Sequence, residues 1–334
     1  PLFDEVIPYP AKIETVTGYD YHVNYESMFE LDPRANELLA SRLFAEKLGL
    51  ELSDAEHEFD LQMGDFDGKA FLAAREEGWT TEYREWFNRK FTEGKQPGEK
   101  WIGLFLRTSA QCRNWRPDNV LALTHFLIAN GYQVFWLGRA GDGYDYGFFP
   151  CGNEGNYFGG FCAAPSGFHN FTGLLDNPLQ LSEFVKDWID LIITPDSFAW
   201  HLGGILKKPT IGLFGPIPTL LRMSPAYKTC IGLSKKGLEC APCFAHNQQM
   251  PCGKDWCEAL ASITPNEVLA MTRKLFAKME RAPEGQASGG SGILGGLRET
   301  IRYYEKDCAG ESVHSWAVAD RLKELIGERN GRTA

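Results

Sequence analysis

The stretch Ile189–Pro216, IDLIITPDSFAWHLGGILKKPTIGLFGP, decides how the chain folds. Two short apolar runs, Leu191–Ile193 and Thr210–Phe214, are rich in β-branched residues, and each ends in a polar or glycine turn. Both read as buried strands of a parallel sheet. Between them the sequence predicts a helix. Thr194, Asp196 or Ser197 can cap its start, Ala199, Leu202, Ile205 and Leu206 give it an apolar face, and Lys207-Lys208 before Pro209 closes it. In such a strand, helix, strand unit, Asp196, Ser197 and His201 fall at the carboxyl end of a strand and in the first helical turn, where an open α/β sheet places its ligand. Free N–H groups at a helix start favour an anion. Gly215-Pro216, at the end of the next strand, allow close approach from a neighbouring turn. An Asp-Ser pair before a helix is also an ordinary N-cap, and a single His an ordinary structural residue. The whole string together carries the reading.

That string, Thr194-Pro-Asp-Ser with a His five residues after the Asp and then KKPTIGLFGP, resembles the C-terminal domain of the family 9 glycosyltransferases, the lipopolysaccharide heptosyltransferase family. The resemblance covers residues 99–280 well and 1–65 loosely. It implies an α/β protein of GT-B type with two Rossmann-type domains. The expected division is a partial N-terminal, acceptor-side domain over 1–96, a nucleotide-sugar-binding domain built on a doubly wound parallel sheet over 97–282, and a linker with C-terminal helices over 283–334. In that family the Asp, Ser/Thr and His of this motif surround the diphosphate and sugar of a nucleotide-sugar donor. The resemblance carries those roles to Asp196, Ser197 and His201. Where the family usually has Gly after the Ser, this chain has Phe198, which implies a stiffer backbone and a narrower donor pocket.

At 334 residues the chain is long enough for two domains with separate cores. Its net charge of −10 argues against non-specific nucleic-acid binding. No apolar run approaches the roughly 20 residues of a membrane helix, and no secretory signal is read at the start; a cytoplasmic place, or a peripheral one at the inner face of a membrane, is the expectation. Nine cysteines are too unevenly placed for a disulfide scaffold. Cys240, Cys243, Cys252 and Cys257 lie close together, and thiolates at that spacing can converge on a tetrahedral zinc. The same Cys-x-Pro-Cys arrangement resembles a recurrent segment of the heptosyltransferase-like proteins without a required metal, so structural thiols are preferred over zinc.

Read in order, residues 33–48 predict a helix with Leu38, Leu39, Leu43, Phe44 and Leu48 on one face. Residues 68–93 predict further amphipathic helix whose Trp79, Tyr83, Trp86 and Phe87 are core or interdomain residues, and 92–100 a polar hinge. Trp101–Leu106 and Gln133–Leu137 read as parallel strands around a helix at about 117–130 that opens on Pro117. The loop after the first strand, Arg107 to Trp115, therefore sits beside the Asp196 loop. It resembles the family loop in which hydroxyls and a basic residue hold the donor phosphates, with Arg113-Asn-Trp115 in place of Lys-x-Trp. Thr108, Ser109, Arg113 and Trp115 are its candidates, since a guanidinium can bind two oxygens at once. Residues 138–173 turn to glycine and aromatics, either a platform for a sugar or a self-packed insertion. Asp142 lies where the family often has an acidic residue for the ribose. Thr264-Pro-Asn-Glu267 opens a helix with a capping box, 283–292 reads as a flexible linker, and helices are expected near 294–306 and 313–327.

The resemblance implies transfer of a sugar from a nucleotide-diphosphate sugar, ADP-heptose among the candidates, to a hydroxyl of a glycan or lipid-linked saccharide. Inversion at the anomeric carbon and no required metal go with it. The family's catalytic base lies on a glycine-rich turn after the first strand of the N-terminal domain, and this sequence holds no matching segment. The expectation is donor binding without turnover by this sequence, or else a GT-B-like module kept for binding or for assembly with a protein partner.

Overall fold

The strands are laid down by runs that are apolar on both faces. In the structure, a computed structural model, the described residues are 63–74, 79–140, 142, 149–151, 155–157, 166–175, 177–224, 226–235, 237–243 and 252–281. Strands β1 (Trp101–Phe105), β2 (Gln133–Leu137), β5 (Phe168–Asn170), β6 (Leu191–Pro195), β7 (Thr210–Phe214) and β8 (Cys230–Ser234) form one parallel sheet in the order β5-β2-β1-β6-β7-β8. Strands β3 (Phe149–Cys151) and β4 (Gly155–Tyr157) pair separately as an antiparallel hairpin.

Because side chains alternate across a strand, each run feeds two cores. Ile102, Leu104, Val134, Trp136, Leu191, Ile193, Ile211 and Leu213 face one side. There they meet α3 (Pro117–Ala129), α7 (Glu258–Ala261) and α8 (Pro265–Arg281). Trp101, Phe105, Phe135, Leu137 and Ile192 face the other side, against α1 (Gly68–Ala73), α2 (Thr81–Glu93), α4 (Pro178–Trp188) and α5 (Phe198–Ile205). Short helix α6 (Thr219–Arg222) closes a third, smaller cluster around Trp200, Phe214 and Tyr227. The doubly wound parallel sheet expected from sequence is present.

Helix α2 shares a core with that sheet. Phe87 is fully buried and packs edge-on against Trp101 and Phe135, while Trp86 stacks on Trp101 with centroids 5.7 Å apart. Tyr83 Oη lies 3.0 Å from His169 Nδ1, and Gln133 Oε1 lies 2.8 Å from its Nε2, which ties α2 to β5 and β2. Thr80 caps α2 and Asp67 caps α1. The capping box of α8 is formed as its sequence predicts: Thr264 N donates to Glu267 Oε2 at 2.7 Å, and Glu267 N to Thr264 Oγ1 at 3.3 Å. No described helix is long and apolar enough to cross a membrane. The predicted helix at 33–48, the linker 283–292, the helices near 294–306 and 313–327, and most of the glycine and aromatic stretch 141–165 lie outside the described residues.

Candidate functional site

The strand order places the site. β1 and β6 are neighbours, yet the chain leaves β1 for α3 on one face and leaves β6 for α5 on the other. Loops that diverge from adjacent strands leave a crevice at their carboxyl ends, the switch point at which open α/β sheets bind ligands. A cleft of about 650 Å³ opens there, lined by both loops and by residues after β2, β5 and β7.

The loop after β1 is held by its own polar groups. Thr108 N donates to Asn114 Oδ1 at 2.7 Å, and the Thr108 hydroxyl donates to Ala110 O at 2.7 Å. This closure turns Gln111–Arg113 into a 3-10 turn and directs Arg113 across the crevice. Its Nη1 donates to the Asp196 carbonyl at 3.0 Å and its Nη2 to Ser109 Oγ at 3.1 Å. Arg113 Nε is buried without a partner among the described residues.

On the other side, Ser197 caps α5. Its Oγ accepts from Ala199 N at 3.2 Å and lies 2.8 Å from Thr194 Oγ1. The Asp196 carboxylate, almost fully buried, sits between two guanidinium groups, 3.2 Å from Arg222 Nε and 3.5 Å from Arg113 Nη1. A carboxylate so enclosed holds arginines in place. His201 lines the cleft from the next turn, with Nδ1 2.9 Å from Tyr227 Oη. Burial lowers the His201 pKa, the Asp196 charge opposes that, and the Arg222 charge adds to it. Four arginines (Arg107, Arg113, Arg139, Arg222) against two aspartates (Asp142, Asp196) give the lining a formal charge of +2, in a chain of net charge −10.

No family model matches this sequence, and no curated protein matches it. Among the solved structures to which it is similar are heptosyltransferases and a family 9 glycosyltransferase. E. coli ADP-heptose lps heptosyltransferase II is 19% identical over 61% of this chain and 54% of that one, with a TM-score of 0.41. The glycosyl transferase family 9 protein of Veillonella parvula is 13% identical over 73% and 61%, with a TM-score of 0.47. E. coli heptosyltransferase WaaC with ADP-2-deoxy-2-fluoro heptose is 14% identical over 70% and 53%, with a TM-score of 0.35. This chain thus spans a little over half the length of the structures it matches.

Of the residues singled out in the sequence, Thr108, Ser109, Arg113, Asp142, Asp196, Ser197 and His201 line one cleft. Asp142 Oδ2 accepts from Arg139 N at 2.8 Å, which curls the turn after β2. Trp115 does not line it. Its ring is buried in the core on the α8 side, where its N–H donates to Ile263 O at 3.0 Å. Gly215 and Pro216 also lie elsewhere: a Cβ on Gly215 would come 2.7 Å from Leu260 Cβ and 2.8 Å from Cys257 Sγ, so its close approach serves α7. The Pro216 carbonyl accepts from Cys243 N at 3.1 Å.

Cys240, Cys243, Cys252 and Cys257 are all free thiols. Cys257 is buried, and burial pushes its thiol up. Among the described residues no group of three or more His, Cys, Asp or Glu is arranged to hold a metal ion. The sequence reading missed Arg107, Arg139 and Arg222; Phe198, tied there to a narrower pocket, does line the cleft, with its ring 55% exposed. Arg107 and Arg139 come two residues after β1 and β2, so the rule that places Asp196 could have found them; Arg222 ends α6, where that rule does not reach.

Proposed function

We propose that this cleft binds the diphosphate of a nucleotide sugar and that the protein is a glycosyltransferase. In this reading the sugar passes to a hydroxyl of a glycan or lipid-linked saccharide with inversion. The observation that carries it is the positively charged lining at the switch point of an otherwise acidic chain. Guanidinium groups that are already fixed, as Arg113 is by the Asp196 carbonyl, stabilise charge that develops on a leaving diphosphate without reorganising. The first-turn amides of α5 add a positive end dipole. Arg113 Nε, buried and without a partner among the described residues, fits a cluster that has a ligand still to meet, because an unmet buried donor costs about 1–3 kcal/mol. Asp142 stands at the β2 end of the cleft, where a ribose hydroxyl would find an acceptor.

Calorimetry with ADP, UDP and GDP tests the reading, followed by turnover assays with ADP-heptose as the first donor. One nucleoside diphosphate should bind with a defined stoichiometry. Absence of binding by all of them would overturn the proposal.

A further inference from the structure

A neutral imidazole meets a ligand in one of two ways, as an N–H donor or as a bare acceptor, and the tautomer decides which. For His201 that choice is made from behind. Tyr227 Oη stands 2.9 Å from Nδ1, which leaves Nε2 as the nitrogen available to a ligand in the cleft. The tyrosine is held from the turn before β8, with its N–H on Ser224 O at 2.9 Å. Its ring lies edge-on to Trp200 and to His201. It reaches the histidine only because residue 204 is glycine: a Cβ there would lie 2.2 Å from Tyr227 Cδ1.

We propose that Tyr227 is a positioning residue that donates its O–H to His201 Nδ1, so that the imidazole presents Nε2–H to an anionic oxygen of the ligand. This rests on the reading of the site as one for a diphosphate. The opposite arrangement, with Nδ1–H donating to the tyrosine, would aim a lone pair at a phosphate oxygen. The groups facing the pair agree. Burial pushes the Tyr227 hydroxyl up to about 12, so it has a proton to give. Burial and Arg222 keep the imidazole neutral against the pull of Asp196. A consequence is that His201 is a hydrogen-bond donor here and not the base that takes the acceptor's proton, because its basic lone pair is spent on Tyr227.

The test uses the full chain. Imidazole ¹⁵N spectra, with the His201 signals assigned by their loss in His201→Gln, should show Nε2 protonated and Nδ1 bare in the parent. Tyr227→Phe, which keeps the ring, should mix the tautomers. It should also weaken ADP binding about five- to tenfold, the effect of one hydrogen bond. In a His201→Gln background, where the amide can donate without help, Tyr227→Phe should change ADP affinity no further, whereas loss of packing alone would act equally in both backgrounds. An Nδ1–H tautomer in the parent, or a tautomer unchanged in Tyr227→Phe, would overturn the proposal. If the parent shows the Nε2–H tautomer, lost in Tyr227→Phe, but binds no nucleoside diphosphate, the diphosphate reading fails and the role of Tyr227 stands.

Discussion

Asp196 joins the two sides of the cleft. Its carbonyl and carboxylate together engage Arg113, in the loop after β1, and Arg222, at the end of α6. Removing one member of a buried ionic cluster leaves the others uncompensated and typically costs about 3–5 kcal/mol. Asp196→Ala should therefore lower the unfolding free energy by about 3 kcal/mol, measured by urea denaturation. Arg113→Ala and Arg222→Ala each leave Asp196 one guanidinium, and beyond any loss of stability each should weaken nucleoside diphosphate binding by about 1–3 kcal/mol, the range of a charge-assisted contact. Calorimetry that finds both variants equal to the parent would remove them from the phosphate site. At this scale the sequence was legible where local rules apply. Asp196 and Ser197 come directly after β6 and Arg113 lies in the loop after β1, so their place at the cleft follows from position. Arg222 lies 26 residues beyond Asp196, a pairing that no spacing announces. Trp115 was misplaced because the 3-10 turn at Gln111–Arg113 rotates the residues that follow it, and the large apolar ring goes to the core.

Helix α5 ends in a Schellman motif: Lys208 N donates to Gly203 O at 2.9 Å and Lys207 N to Gly204 O at 3.2 Å. Lys207 occupies the position where glycine is usual, at φ 54°. A side chain in that conformation costs roughly 1–2 kcal/mol, so Lys207→Gly should raise stability by about 1 kcal/mol, seen as a higher urea midpoint with an unchanged slope. Where α2 meets the sheet, His169 carries a pH dependence. Burial lowers its pKa from 6.5 to about 3, weakly opposed by Glu99. The unfolded chain takes up a proton near pH 6.5 that the folded chain refuses until about pH 3. This contribution is complete above pH 6.5 and is lost as the pH falls toward 3, at up to about 1.4 kcal/mol per pH unit. Urea titrations from neutral to acid pH should show a shallower loss for His169→Gln than for the parent; equal slopes would mean that the ring is not kept neutral. Helices α3 and α8 were readable because Pro117 and the Thr264 capping box mark their starts. Strand β5 was not: three residues, Phe168–Asn170, are too few to show a period inside a glycine and aromatic stretch.

Over the whole molecule, charge is divided unevenly, with a formal +2 in the cleft and −10 in the chain. Screening should therefore oppose binding. Raising salt from about 0.05 M to about 0.5 M should weaken ADP affinity several-fold, and salt-independent affinity would mean that the contacts are not ionic. The sheet's class was legible from its apolar runs, since strands buried on both faces need hydrophobic residues throughout. Its order was not, because it depends on which edges meet across long separations. That order also has a meaning in time. Strand β1 pairs on one side with β2, Trp101 against Gln133, and on the other with β6, Ile102 against Leu191, 89 residues along the chain. During synthesis β1, β2 and β5, with α2 and α3, are complete at residue 170, while the other edge of β1 waits for a partner not yet made. The cleft lies on this late seam between an older and a younger half of the sheet. A ligand that grips Arg113 on one bank and the start of α5 on the other would act as a clasp, steadying the join that the growing chain is slowest to close.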